Sequence, residues 1–337
     1  MPYSADTFTK APLKSLSPNL VNNNLAVGRD RLAYVHSKGA STVTHGGREA
    51  EVTNSKIETK NIAYSLSIQA CYSLSGCAIV LTNQVGLQIW NNTGQLMYFN
   101  YEHPGVLPTV EGTIMWHVSC AAGIQPADEG LALVVAATSD GQFLNFGIDH
   151  SSGQAKHLAT CKSGQSCITA LGSEVDSCRG AAKSALLVSG DDKGGLKLWS
   201  VDEANQMTEK CSKPDGKHGP VVSLVLRNGK VVAAYSDGVV EVLAQSDLKP
   251  EVEFYAHSRI LTAMDIHPTK DIIATVSEDS TLNVFPIPTR ETPEATPLLS
   301  VCWPMVMLTG VAFCGRTSDD IATVGYDHDE MRIFTGP

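Results

Sequence analysis

A continuous apolar run, a polar corner and an alternating run recur along the chain at intervals of roughly 45 residues, a period typical of repeat architectures. The pattern is clearest at Ala185–Trp199, where Ala-Leu-Leu-Val-Ser-Gly leads through Asp191–Gly195 into Leu-Lys-Leu-Trp. The apolar run predicts a strand buried on both faces, and the alternation predicts a second strand beside it. Asp and Gly at the corner are typical of hairpin turns, because Gly adopts positive φ and Asp bonds nearby backbone. Each copy therefore predicts a β-hairpin.

Seven copies of this hairpin occur, and most close on a bulky side chain that would fill the gap between neighbouring sheets. They span Arg31–Thr44, Ala78–Trp90, Leu133–Phe146, Ala185–Trp199, Val231–Leu243, Ile272–Phe285 and Ile321–Phe334. In the third copy Leu144 lies where the others are polar, which leaves the register of that copy open. Repeats of this kind form a ring or a stack of equivalent units.

Several residues of the repeats match landmarks of a known family. Ala256-His257 stands where the family has Gly-His, Asp265–Pro268 matches the stretch that follows, and Asp279 matches the turn aspartate. Trp90 and Trp199 occupy the closing aromatic position. In these features the chain resembles the WD-repeat family, whose copies form the four-stranded blades of a β-propeller.

The resemblance implies structural roles for His257, Asp279, Trp90 and Trp199, with a hydrogen bond between the histidine and the aspartate. Most other copies lack one of the two hydrogen-bonding partners, so apolar packing is expected to hold their blades together.

The last copy ends at Phe334, three residues before the end of the sequence, which leaves its blade without an outer strand. The segment Phe8–Leu16 contains Pro and Lys, which an outer strand tolerates. We therefore expect an all-β fold: one seven-bladed propeller over residues 1–337, in which residues 1–17 supply the outer strand of the last blade and leave no exposed edge.

Composition and charge narrow the classes of function. A net charge of −10 without a cluster of basic residues disfavours nucleic acid as a partner. No apolar run is long enough to span a membrane, and the start Met-Pro-Tyr-Ser-Ala-Asp lacks the features of a secretory signal. Nine cysteines, an odd count without a C-x-x-C pair, argue against a disulfide framework or a zinc ribbon. We expect a cytoplasmic protein with neither cofactor nor metal.

Candidate catalytic and ligand groups each have a simpler structural interpretation. Asp191-Asp192 lies at a hairpin corner, and Ser189–Gly195 is rich in glycine but lacks the order of a phosphate-binding loop. His117 and Cys120 have a possible ligand spacing, yet no second pair completes a site. His218 resembles a degenerate copy of the Gly-His landmark, and Asp319-Asp320 is interpreted as a solvated corner. No catalytic set can be assembled by spacing, so we expect no enzyme.

The remaining information lies in loops longer than tight connections, where binding residues tend to lie on rigid scaffolds. These loops are Thr44–Asn61, Asn100–Gly112, Gly123–Gly130, Gly172–Ser184, Cys211–Pro220 and Pro286–Pro297. The sequence therefore predicts a non-catalytic scaffold that binds protein or peptide partners through its loop faces and channel rim. The predicted contact residues, all beside tight turns, are Tyr235, Arg259, Tyr326 and His328. The alternatives are a propeller-fold enzyme with a channel site and an adaptor associated with RNA or chromatin.

Overall fold

The computed structural model describes residues 3–5, 8–13, 17–27, 31–36, 39–44, 55–57, 65–73, 76–83, 86–91, 94–102, 118–124, 131–149, 154–173, 186–202, 205–214, 216–314 and 319–336. These residues form seven antiparallel four-stranded sheets without a helix. In six of the sheets, the strands follow one another in chain order. Within the described residues, no helix is long and apolar enough to cross a membrane.

The first four sheets, blades 1 to 4, begin near the N-terminus. Blade 1 has β2 (Ala26–Val27), β3 (Arg31–His36), β4 (Gly39–Thr44) and β5 (Ser55–Ile57). Blade 2 has β6 (Ser65–Ser73), β7 (Gly76–Asn83), β8 (Gly86–Asn91) and β9 (Met97–Glu102). Blade 3 has β10 (Val118–Ile124), β11 (Leu131–Thr138), β12 (Gln142–Asp149) and β13 (Ala155–Lys162), and blade 4 has β14 (Ile168–Ser173), β15 (Leu186–Asp191), β16 (Leu196–Val201) and β17 (Met207–Lys213).

Three further sheets, blades 5 to 7, complete the ring. Blade 5 has β18 (Val221–Arg227), β19 (Lys230–Tyr235), β20 (Val239–Ala244) and β21 (Pro250–Tyr255). Blade 6 has β22 (Leu261–Ile266), β23 (Ile272–Ser277), β24 (Thr281–Pro286) and β25 (Leu299–Cys302). Blade 7 has β26 (Leu308–Cys314), β27 (Asp320–Gly325), β28 (Glu330–Phe334) and β1 (Phe8–Pro12). The seven predicted hairpins are therefore the second and third strands of the seven blades, which confirms the predicted fold class.

The first strands of neighbouring blades contact one another all the way round, from β2 through β6, β10, β14, β18, β22 and β26 back to β2. They therefore surround the axis of the propeller. Apolar side chains fill the spaces between adjacent blades, as where Phe143 of blade 3 packs edge-on against Trp199 of blade 4 with 5.1 Å between ring centroids. In blades 2 to 7 the bulky residue that closes the hairpin thus packs between neighbouring sheets.

Blade 7 is closed by the N-terminal strand, as the sequence predicts. Strand β1 pairs antiparallel with β28, from Phe8 opposite Phe334 to Pro12 opposite Glu330. The Arg332 guanidinium lies 4.8 Å from the Phe8 ring centroid, and the exposed Lys10 forms an ion pair with the partly buried Glu330. The paired strand ends at Pro12, earlier than the expected Leu16, and residues 14–16 lie outside the described residues.

The register of the deviant third hairpin is regular. Strands β11 and β12 pair without a shift, and Leu144 is fully buried against blade 2. The neighbouring Asn145 is also fully buried and donates from Nδ2 to the carbonyl of Asn205 in blade 4. Compared with the other hairpins, this copy has an apolar residue at the usual polar position and a polar residue at the next one. The buried amide of Asn145 is tolerated because it donates to a backbone carbonyl of the neighbouring blade.

Candidate functional site

The tight turns between second and third strands lie at one end of the propeller, together with the loops that lead into each first strand. We call this end the turn face and the opposite end the far face. Gly194 and Gly238 occupy the same turn position with φ of 81° and 88°, and Ser280 takes it in blade 6 with φ of 67°. A Cβ at Gly238 would lie 2.4 Å from the His257 carbonyl oxygen, so the turn and the next loop pack closely.

In blade 6, a buried hydrogen-bond network joins this loop to the turn. The Nδ1 of His257 lies 3.2 Å from both carboxylate oxygens of Asp279, and its Nε2 lies 2.9 Å from the hydroxyl of Thr275. Burial opposes ionisation of Asp279, but hydrogen bonds from His257 and Thr281 outweigh it and hold the pKa of that carboxyl well below its ordinary value. The predicted pairing of His257 with Asp279 is present in the structure.

Blade 4 forms a similar network without a histidine. The Trp199 indole donates to the Ser189 hydroxyl at 2.8 Å, and that hydroxyl bonds to the side chain of Gln165. The Gln165 amide in turn donates to Asp191 at 3.3 Å. Gln165 thus takes the place of the histidine, and this network adds to the apolar packing expected for the blades that lack one of the two partners. Its amide carries both a donor and an acceptor, which is the property that the network requires.

Blade 5 keeps the histidine but changes its surroundings. His218 is 7% exposed and lies 2.7 Å from Asp237 through Nδ1. Tyr235 stacks obliquely on the imidazole with 4.9 Å between ring centroids and donates its phenol proton to Glu241 at 2.6 Å. The pKa of Tyr235 is raised well above its usual range, first by burial and then by this bond to Glu241.

The four predicted contact residues lie in different environments. Tyr235 is fully buried in blade 5, so it has no exposed surface for a partner and moves from the predicted contact set to the core. Arg259 is exposed in the loop before β22, and Tyr326 is 47% exposed in the turn after β27. His328 is half-buried with its ring against Trp303, 4.6 Å between ring centroids.

Exposed apolar side chains accompany Arg259 and Tyr326 on the turn face. Met305 is 98% exposed in the loop before β26, and Ile260 and Leu20 are 46% and 55% exposed before β22 and β2. These residues lie on the adjoining blades 6, 7 and 1. Sequence reasoning missed them because a single apolar residue in a polar loop does not stand out from the apolar residues of the strands.

The segment that leads into β2 crosses the mouth of the central channel on the turn face. Asn23 donates from its backbone N–H to the Thr262 carbonyl at 3.0 Å and from Nδ2 to the Val222 carbonyl at 2.8 Å. The next residue, Asn24, donates from its N–H to the Thr309 carbonyl at 2.9 Å. These three carbonyls belong to the inner strands of blades 5, 6 and 7, at the residues where the register shifts. The segment therefore covers part of the channel rim that the sequence predicted to bind partners.

The other candidate groups have structural roles or lie beyond the described residues. Asp191 accepts backbone hydrogen bonds from Lys193 and Gly195, which is a turn function. Asp319 is buried and lies 3.1 Å from His267 Nε2, so its interpretation as a solvated corner is wrong. Trp90 donates to Gln88 inside blade 2. His117 lies outside the described residues, as do most of the long loops, whereas residues 287–298 of the far face are described in full.

Comparison with known proteins identifies the family. The WDR54 family matches residues 33–336. This chain belongs to the WDR54 family. WD repeat-containing protein 54 of Mus musculus is 24% identical over 339 residues, covering 96% of this chain and 97% of that protein. The Homo sapiens protein of the same name is 24% identical over 269 residues, covering 76% of this chain and 74% of that protein.

A solved structure shows the same fold. A chain in "Crystal Structure of Mitotic Checkpoint Complex" superposes with a TM-score of 0.72 at 11% identity, covering 98% of this chain and 92% of that chain. Together with the family match, this confirms the WD-repeat resemblance drawn from the repeats. Four segments of the sequence carry the resemblance to WD repeat-containing protein 54: Asn22–Leu25, Ala233–Tyr235, Ala256–Arg259 and Val324–Asp327.

Proposed function

We propose that this protein is a non-catalytic interaction scaffold that binds a protein partner with its turn face. The observation that carries the proposal is the exposure of Met305, Ile260, Tyr326 and Leu20 across adjoining blades of a rigid ring. Exposed apolar side chains grouped on one face of a protein are a feature of interaction sites. Arg259 is the exposed neighbour of Ile260 in the same loop and supplies the kind of charged anchor that is enriched in interfaces.

The closed ring supports this proposal because it holds the loops in fixed relative positions. A partner then meets a preorganised surface and loses little of its binding free energy to the ordering of loops. The segment Asn22–Leu25 covers the channel mouth over blades 5 to 7, so the partner is expected on the loops around the mouth rather than inside the channel.

Affinity capture from cells tests the proposal with the double variant Arg259→Ala/Tyr326→Ala. The matched control is Arg290→Ala/Leu298→Ala, which removes an exposed arginine and an exposed apolar side chain from the far face. Proteins retained by the wild type and the control but lost by the turn-face variant, at equal melting temperatures, support the proposal. Equal retention by all three proteins contradicts it.

A further inference from the structure

Among the described residues, one group has the donor set of a metal site: His218, Glu241 and Glu253 of blade 5. One ligand atom from each lies within 4.8 Å of the others. Glu241 is 2% exposed and His218 is 7% exposed, whereas Glu253 is the most accessible of the three. Imidazole nitrogen with carboxylate oxygen is a ligand combination that Zn²⁺ takes in proteins.

The histidine at the centre of this group has a buried ring nitrogen with no hydrogen-bond donor beside it. Its Nδ1 lies 2.7 Å from Asp237, and a carboxylate accepts there only if Nδ1 carries the proton. In the neutral ring, Nε2 then carries a lone pair, and no donor forms a hydrogen bond to this buried atom. The nearest charged atom is Glu253 Oε2 at 3.5 Å, which is itself an acceptor. A histidine that ligates a metal through one nitrogen ordinarily donates from the other to a carboxylate, as His218 does to Asp237.

Comparison with blade 6 shows why this nitrogen is unpaired. In blade 6, Thr275 pairs across the hairpin with Asn283, and its hydroxyl bonds to Nε2 of His257. The equivalent pair in blade 5 is Ala233 opposite Glu241. The methyl of Ala233 cannot donate a hydrogen bond, so the partner of the histidine is lost and a carboxylate is gained at the same register position.

The two glutamates also lie directly opposite each other on β20 and β21. Like charges at opposed positions of a sheet repel unless a cation lies between them. Lys213 pairs with Glu241, and Lys217 lies 2.6 Å from Glu253. With Asp237, three carboxylates therefore surround two ammonium groups and the imidazole of His218.

We propose that blade 5 binds one divalent zinc ion through His218 Nε2, Glu241 and Glu253. Asp237 orients the imidazole, and Tyr235 holds Glu241 through its phenol. The ligand atoms must approach one another from their present separation to reach Zn–N and Zn–O distances of about 2.0–2.2 Å. Glu253 makes most of this movement because it is the accessible ligand, and Lys217, whose side chain is 65% exposed, is displaced into solvent.

Calorimetric titration of ZnCl₂ into the full chain under reducing conditions tests the proposal. The wild type is expected to bind one zinc ion that His218→Gln loses, whereas the matched variant His257→Gln of blade 6 keeps it. Asp237→Asn is expected to weaken binding about 10- to 100-fold, the usual effect of removing a carboxylate that orients a ligand. The same isotherm for the wild type and His218→Gln overturns the proposal. The charges of the two glutamates would then be compensated by Lys213, Lys217 and a proton rather than by zinc.

Two further variants keep the test decisive if His218→Gln does not fold. Lys217→Gln removes an exposed competitor for Glu253 and is expected to tighten zinc binding, because the metal no longer displaces an ammonium group. Ala233→Thr restores the hydroxyl found in blade 6, pairs Nε2 and is expected to weaken zinc binding. Zinc affinities unchanged by both variants contradict the proposed site.

Discussion

Blades 5 and 6 are neighbours with the same backbone plan, yet the equivalent histidines on their turn face have different environments. In blade 6, both ring nitrogens of His257 are hydrogen-bonded, one to Asp279 and the other to Thr275. In blade 5, His218 keeps the aspartate but has lost the hydroxyl and gained two glutamates. The comparison teaches that substitutions at three equivalent positions of a repeat change the surroundings of a turn-face histidine without changing the strands.

The comparison requires both blades to belong to a closed ring. Deletion of residues 1–17 removes β1 and exposes the edge of β28, and we expect the melting temperature to fall by more than about 5 °C because several kcal/mol of packing is lost. The control Lys10→Ala removes only an ion pair whose lysine is exposed to solvent, and it is expected to cost less than about 1 kcal/mol. Thermal unfolding followed by circular dichroism measures both. A deletion variant that melts with the wild type contradicts the closure.

The buried ion pair of blade 5 is expected to give the next largest effect. Glu241→Gln leaves Lys213 without its counterion and Tyr235 with a weaker acceptor, so the free energy of unfolding should fall by about 3 kcal/mol. The control Glu209→Gln breaks the more exposed pair with Lys197 and should cost less than about 1 kcal/mol. Urea unfolding of both variants is the measurement, and equal losses would remove the distinction between the two pairs.

One substitution in blade 6 reproduces the missing hydroxyl of blade 5. Thr275→Ala leaves Nε2 of His257 buried without a partner, and the free energy of unfolding is expected to fall by about 2 kcal/mol. The exposed threonine variant Thr208→Ala should stay within about 0.5 kcal/mol of the wild type. Denaturant unfolding measures the stability of both variants. An unchanged free energy of unfolding for Thr275→Ala would show that the hydrogen bond from the hydroxyl to His257 does not stabilise the fold.

The lowered pKa of Asp279 in blade 6 is expected to make the free energy of unfolding depend on pH, with a smaller effect than the substitutions above. Because the folded pKa of Asp279 lies below its unfolded value of about 3.9, its contribution to stability is complete above that value and is lost as the pH falls toward the folded pKa. The difference in unfolding free energy between the wild type and Asp279→Asn should therefore be constant near pH 6 and shrink below about pH 4. Urea unfolding at several pH values checks this, and a constant difference down to pH 3 is the contrary result.

The sequence predicted what depends on local patterns. The hairpins follow from two-residue alternation and Asp-Gly corners. The pairing of His257 with Asp279 follows from the resemblance to the WD-repeat family, whose landmarks these two residues match. The substitution of Gln165 for a histidine, the burial of Tyr235 and the position of Asn23 against blades 5 and 6 depend on contacts between distant parts of the chain. Such contacts leave no periodic pattern in the local sequence, so they could not be predicted from it. The exposure of Met305 likewise depends on where the ring places its loop.

The nitrogen-15 NMR spectrum of the histidine rings, recorded before and after one equivalent of zinc, tests the contrast between the two blades most directly. Tautomeric state and ligation are both visible at each ring nitrogen. We predict that Nε2 of His218 changes from an unprotonated to a metal-bound signal, while both nitrogens of His257 keep their signals. Unchanged signals from both rings at saturating zinc, or a doubly protonated His218 that zinc does not alter, would contradict the account.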